Sequence, residues 1–302
     1  MSLTLWRFTD NKPGHDSQSI GLCSAIGAIK TCDQYDLPAG SPDNRFFNLV
    51  TRQFPAGASL PDPDILIGAG HGTHLPMLAA KRARGGKIIV LMKPSLPVFL
   101  FDMCIIPEHD APPDKKNIIV TTGAINKIKT DTAKDVASGL ILLGGPSKHF
   151  AWDEPNILNQ IKSIISNDLD TNWLVADSPR TPDTTLATLK KWQLNATTLL
   201  SYSDSKPEEL QNHIQSAGKI WVSADSISMI YESLTAGVPV GIIEVLNKTE
   251  SRIVNAINNL INENEITTFK QWQQNGVMKP NSLNLNEALR CSRLLQEKNF
   301  LD

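Results

Sequence analysis

The chain has 302 residues, 41% of them hydrophobic and 20% charged, and a formal net charge of −2. That length exceeds one typical core and suits two domains of about 150 residues each. The charge balance excludes a nucleic-acid binder working by bulk positive charge, and no apolar run nears the roughly 20 residues of a membrane span.

The opening residues Met1–Arg7 lack a basic segment followed by a long apolar run, so no secretory leader is expected. The expected location is the cytoplasm, with peripheral contact at the inner membrane left open. Cys23, Cys32, Cys104 and Cys291 form no C-x-x-C pair, which reads as buried free thiols in a reducing compartment.

Short apolar runs alternate with amphipathic segments, which predicts α/β layers around mostly parallel sheets. In the first half the strand candidates are Leu3–Thr9, Ile65–Gly68, Lys87–Met92, Met103–Ile106 and Ile118–Thr121. Helices are predicted at Gln18–Ile29, at Asn44–Arg52 with Asp43 as N-cap, and at Leu75–Arg84. Lys81, Arg82, Arg84 and Lys87 around Gly85-Gly86 read as a basic helix end followed by a glycine stop.

The polar segment Asn126–Ser138 reads as a crossover between domains. Beyond it, strands are expected near Leu140–Leu143, Trp173–Ala176, Thr198–Tyr202, Lys219–Ser223 and Pro239–Val245. Helices are expected near Pro155–Ser166, Thr184–Trp192, Pro207–Ser216 and Ser228–Ala236, with a long polar one over Thr249–Asn262. The last helix, about Asn286–Lys298, gathers Leu285, Ala288, Leu289 and Leu295 on one side. The expected division is a first domain over 1–130, a second over 131–280, and a terminal segment over 281–302.

Several strand-to-helix loops carry polar groups suited to chemistry. Asp10–Gln18 holds Lys12, Gly14, His15 and Gln18, and an imidazole titrating near neutrality suits a general base. The plain alternative is a Pro13-Gly14 turn with an exposed histidine. Gly68–His74 offers Gly70, His71, Thr73 and His74, but its glycines do not match a dinucleotide fingerprint. That disfavours a nicotinamide dehydrogenase, and a nucleotide-sugar epimerase is the weaker reading because Asp10–Gln18, after the first strand, does not supply the fingerprint either. Glu108 and His109 sit in Pro107–Asp110, where adjacent residues make a poor metal cage, so substrate contact or interdomain bonding is expected and no metal.

In the second half, Gly144, Gly145, Ser147 and Lys148 follow a strand and read as an anion cradle without Walker spacing. Arg180, in Asp177–Pro182, is the natural diphosphate partner, or else a solvated arginine on a stiff turn. Trp221–Glu232 brings Asp225, Ser226 and Ser228 to a helix start, where an anion is favoured, or where an ordinary cap sits. Trp173–Ser178 echoes Trp221–Ser226, so two strands end in Asp-Ser and would line one crevice.

The segments Asp10–Gln18, Gly68–Pro76, Pro107–Asp110, Gly144–Phe150, Ser178–Pro182 and Ala224–Glu232, in this order, resemble bacterial relatives of the plant elongated-mitochondria fission factor. The resemblance covers nearly the whole chain. It departs at His71-Gly72, where relatives carry an arginine pair, and at Lys93, where they carry an acid. That family is similar to GT-B glycosyltransferases: two Rossmann-like domains facing across a cleft, with the final helix crossing back to the first domain.

The resemblance implies a nucleoside-diphosphate sugar as donor substrate in the second domain, an acceptor in the first, and no further cofactor. It implies Ser178, Arg180 and Thr181 by the donor diphosphate. Asp225, Ser226, Ser228 and Met229 would hold phosphates and nucleoside, with Glu232 on the ribose. His15 would be the catalytic base of a metal-independent glycosyltransferase, with a cell-envelope glycoconjugate as one candidate acceptor. The competing expectation is a non-catalytic scaffold that acts by recruiting partner proteins.

Overall fold

The computed structural model describes residues 2–40, 48–192 and 197–302. The chain divides into two compact units, one formed by Met1–Lys127 with Asn286–Asp302 and the other by Ile128–Leu285. Each is a Rossmann-like α/β unit around a six-stranded, all-parallel sheet.

In the first unit the strands are β1 (Leu3–Thr9), β2 (Cys32–Pro38), β3 (Ile65–Ala69), β4 (Lys87–Leu91), β5 (Met103–Pro107) and β6 (Ile118–Thr121), ordered β2-β1-β3-β4-β5-β6. Period-two alternation sends neighbouring side chains to opposite faces. Leu5, Ile67 and Ile89 pack on one face, and Trp6, Leu66, Ile88 and Val90 on the other. Both faces are therefore covered, as a parallel sheet requires.

Helix α1 (Pro13–Ile29) lies on the first face with Leu22, Cys23 and Ile26 buried. Helix α2 (His71–Arg84) buries Met77 and Ala80 on the second. The basic cluster at its end is paired: Lys81 with Asp102 at 2.5 Å and Arg84 with Asp62, before Gly85 at φ +83°. Residues 48–51 are helical, whereas Asp43 and residues 44–47 of the predicted helix lie outside the described residues.

The terminal segment completes this unit. Cys291 and Leu295 of the last helix (Glu287–Glu297), with Leu301, enter the core that holds Leu22 and Ile26. Glu287 accepts from Thr122 N at 3.1 Å, and Arg290 donates to Val120 O at 2.6 Å.

The second unit runs β7 (Asp135–Leu142), β8 (Phe150–Ala151), α3 (Glu154–Ser166), β9 (Asn172–Ala176), α4 (Asp183–Lys191), β10 (Thr197–Leu200), α5 (Pro207–Ser216), β11 (Ala217–Ser223), α6 (Ile227–Thr235), β12 (Val240–Ile243), β13 (Leu246–Asn247), α7 (Arg252–Asn262), β14 (Thr267–Thr268) and α8 (Phe269–Asn275). The main sheet is ordered β10-β9-β7-β11-β12-β14, and β8 pairs antiparallel with β13 as a separate clip.

The differences from expectation have physical causes. Strand β2 is not among the sequence candidates, because it shows a polar, mostly exposed edge. Strand β7 begins at Asp135, inside the segment read as crossover, because its first two residues, Asp135 and Val136, are exposed and give no buried run. Helix α7 is strongly two-faced, burying Val254, Ile257 and Leu260 under a polar outer side.

Candidate functional site

Open parallel sheets bind ligands at the carboxyl ends of strands where the strand order reverses. In the second unit that point lies between β7 and β11, and in the first between β1 and β3. Of the loops singled out in the sequence, those after β7 and β11 and those after β1 and β3 leave their sheets at these two points, while Asp177–Pro182 follows the neighbouring β9 and Pro107–Asp110 follows β5.

At the first of these, Asp225 follows β11 and its side chain is fully buried. Its Oδ2 accepts from Gly145 N at 2.9 Å and faces Arg180 Nη1 at 2.7 Å, while Oδ1 accepts from Ser223 Oγ at 2.7 Å. Ser223 Oγ in turn accepts from Gly144 N at 2.7 Å. A Cβ on Gly144 would lie 2.1 Å from Asp225 Oδ2, and one on Gly145 only 1.9 Å from Arg180 O. The two glycines therefore make room for Asp225 and Arg180, and their amides are already bonded.

Thr181 Oγ1 donates to the carbonyl of Gly144 at 2.5 Å and accepts from Ser178 N at 3.0 Å. Ser178 Oγ donates to the same carbonyl at 3.2 Å. Asp225, Ser178 and Thr181, read in the sequence as phosphate contacts, are internal fastenings of the Gly144–Gly145 turn. Burying Asp225 without charge or hydrogen-bond partners would be costly, and these bonds supply them.

Other polar groups of this region are not used up in that turn. Arg180 is exposed, spending one nitrogen on Asp225 and on Gly145 O at 3.0 Å. Helix α6 starts at Ile227 behind Ser226, whose side chain makes no cap bond. Among the described residues, the N–H groups of Ile227, Ser228 and Met229 have no protein acceptor. Ser228 is exposed, and Ser226, Met229 and Glu232 are half-buried. The guanidinium is thus bonded to Asp225, two residues before an uncapped helix start, and both groups favour an anion.

Ser147 and Lys148 lead into the clip. Ser147 O accepts from Lys248 Nζ at 3.0 Å and its Oγ from Phe150 N at 3.2 Å, while Lys148 is exposed.

In the first unit, His15 lies in the first turn of α1, since the helix begins at Pro13 and not at Gln18. Proline at the first helical position is pre-set for that backbone, which moves the start forward. His15 Nδ1 is 2.9 Å from Asp10 Oδ1, and the Asp10 carboxylate is largely buried. Nδ1 is thereby engaged with Asp10. Gly70 lies against the same ring, where a Cβ would sit 2.2 Å from His15 Cε1. Asp10 was not singled out in the sequence; an aspartate five residues before a histidine at a helix start is the signal that could have found it.

Helix α1 is seated by a buried charge. Arg7 pairs with Asp16 at 3.1 Å and with Asp36, holding the Asp36 carboxyl below the usual range. Thr9 Oγ1 adds a bond to Asp16 at 2.5 Å.

The remaining acceptor-side residues separate. Lys12, Gly14 and His71 are exposed, Gln18 and Thr73 are buried, and Thr73 Oγ1 caps Gly70 O at 2.9 Å. His74 is 1% exposed, its ring 5.3 Å from that of Phe101, so it faces the core and not a ligand. Glu108 and His109 form a short turn after β5. Among the described residues no cluster of three His, Cys, Asp or Glu suited to a metal is found.

Comparison with known proteins adds the following. The family profile described as mitochondrial fission ELM1 matches residues 13–298. An uncharacterized protein of Rickettsia prowazekii (strain Madrid E) is 26% identical over 303 aligned positions, covering 78% of this chain and 82% of that protein. A solved UDP-N-acetylglucosamine 2-epimerase matches with a TM-score of 0.60 at 14% identity, covering 99% of this chain and 97% of that one. The epimerase from Neisseria meningitidis bound to UDP-GlcNAc gives 0.51 at 12% identity, covering all of both chains. A glycosyltransferase from Streptomyces nogalater gives 0.52 at 10% identity, covering 99% of this chain and 95% of that one.

These likenesses show a GT-B-type fold. Solved proteins named as UDP-N-acetylglucosamine 2-epimerases, the activity disfavoured from the sequence, thus share this fold.

Proposed function

Because the chain belongs to the mitochondrial fission ELM1 family and has a GT-B-type fold, we propose that it transfers a sugar from a nucleoside-diphosphate sugar to an acceptor hydroxyl. The observation that carries this reading is Arg180 bonded to Asp225, two residues before the uncapped start of α6, which follows β11 at the point where the second sheet reverses its order.

In this reading Arg180 and the amides of residues 227–229 neutralise the diphosphate as it leaves. Fixed donors aimed at developing charge are the largest catalytic term in many enzymes. His15 Nε2 takes the acceptor proton while the Asp10 carboxylate holds Nδ1–H and steadies the imidazolium. Ser226 and Ser228 add hydroxyls to the phosphates, and Glu232 takes the ribose.

Calorimetry with UDP and UDP-sugars tests this directly. The chain should bind them, Arg180→Ala should weaken binding at least about tenfold, and His15→Ala should bind as before while losing transfer. Wild-type affinity in Arg180→Ala removes the phosphate assignment. The family description favours a second reading, a scaffold that recruits partners, and that reading gains if no nucleoside diphosphate binds.

A further inference from the structure

We propose that Ser95 is a nucleophilic hydroxyl, activated by His71, that takes an acyl group from an activated carboxylic ester. This activity needs no nucleotide and stands apart from sugar transfer.

The geometry is a hydroxyl between two imidazoles. Ser95 Oγ lies 2.5 Å from His71 Nδ1 and 3.3 Å from His74 Nδ1. The two rings meet edge-on at 5.8 Å. His71 and Ser95 are exposed, whereas His74 is 1% exposed and its Nε2 has no hydrogen-bond partner among the described residues.

That orphaned nitrogen fixes the direction of the chain. A buried N–H without an acceptor is a rarer compromise than a half-used acceptor. The tautomer that avoids it keeps Nε2 bare and puts the proton of His74 on Nδ1. His74 then donates to Ser95, and the one hydroxyl proton of Ser95 turns to His71. Burial and the neighbouring His71 push the His74 pKa down to about 4, so His74 stays neutral and the direction holds at physiological pH.

The loop bearing Ser95 is pinned. It leaves β4 through Met92 at φ +73°, a left-handed conformation unusual for methionine, with Met92 N donating to Ile105 O at 2.9 Å. Lys93 Nζ donates to the carbonyls of Asp110 and Ala111 at 2.9 and 3.0 Å. Asn117 Nδ2 donates to the carbonyls of Val98 and Phe101 at 2.9 and 3.0 Å. A strained turn held from several sides at the carboxyl end of a parallel strand is where sheets present reactive side chains.

In the reaction Ser95 Oγ bonds to the ester carbonyl carbon, and its proton passes to His71 Nδ1. The bond from that carbon to the leaving oxygen breaks, and His71 returns the proton to the departing alkoxide. Water then cleaves the seryl ester by the same route, giving the free acid.

A fluorophosphonate probe reads the first half-reaction on the full chain. The Oγ–P bond forms, P–F breaks, fluoride leaves and the proton passes through His71 to solvent. Mass spectrometry should find the adduct on Ser95 and lose it in Ser95→Ala. Labelling should be about a hundredfold slower in His71→Ala. Both residues are exposed, so thermal melts should show folded variants. No adduct on Ser95, adducts on other serines alone, or a wild-type rate in folded His71→Ala would each overturn the proposal.

Discussion

Arg180 Nη1 sits 2.7 Å from Asp225 Oδ2, and the carboxylate it meets is wholly removed from solvent. The pair is lopsided: the acid is buried among two other donors, while the base is substantially exposed. The acid therefore depends on the base for compensation more than the reverse. Its place also ties the exposed guanidinium to a fixed point two residues before α6.

Removing Arg180 strands a buried charge, and leaving such a charge unpaired is what makes half of an ion pair costly. Arg180→Ala should lose about 2 kcal/mol in denaturant unfolding, less than for a wholly buried pair. Adding Asp225→Asn should recover part of that loss. The amide can accept from Gly145 N and donate to Ser223 Oγ without carrying charge. A double variant less stable than Arg180→Ala alone would show that Asp225 matters for something other than this pairing.

Gly145 and Gly27 should respond in opposite directions to the same methyl group. A Cβ at Gly145 meets the Arg180 carbonyl, which cannot give way without moving the loop, so Gly145→Ala should cost about 2–3 kcal/mol. It should also abolish the melting shift with UDP. Gly27 faces solvent inside α1 with nothing within 4 Å, so Gly27→Ala should stabilise by about 0.5–1 kcal/mol. Urea titrations of the two variants compare them directly.

The four thiols should separate three to one. Cys23, Cys104 and Cys291 are buried, and desolvation pushes each up to about 12. Cys32, in edge strand β2, is half-exposed, with its pKa raised less far by partial burial and Asp33. A thiol-disulfide reagent at pH 8 should titrate one group quickly in the folded chain and the rest only on unfolding. Fast reaction of a second thiol would contradict the packing of the core that holds Cys23 and Cys291.

Periodicity made the strands legible wherever apolar residues fill them. Leu3–Thr9, and even the edge strand Ile118–Thr121 with Val120 exposed, were bounded correctly for that reason. It failed at the other edge of that sheet, where β2 has a polar surface, and at helix starts, where Pro13 and His71 extend helices into stretches read as loops. The site divided in the same way. The positions of Gly144, Arg180 and Ser226 at strand ends followed from chain order. Which of Asp225, Ser178 and Thr181 face inward did not, because hydroxyls and carboxylates look alike in sequence whether they hold a ligand or a turn. His74 was misplaced for a related reason: a histidine three residues after His71 falls in the first turn of the same helix, and sequence alone does not say which side of it is buried.

His74 should impose an acid limit on stability. Burial, then the charge of His71, lowers its pKa from 6.5 to about 4. The unfolded chain therefore binds a proton between these values that the folded chain refuses, so this contribution is complete above pH 6.5 and falls away toward pH 4. From pH 7.5 to pH 5 the loss should be about 2 kcal/mol, at 1.36 kcal/mol per pKa unit over the part of the window crossed. His74→Phe keeps an aromatic ring beside Phe101 and removes the titration, so its urea midpoint should change less over the same interval. An equal drop in the variant would place the acid sensitivity elsewhere, and a midpoint that rises on acidification would mean that the imidazole is charged in the folded state.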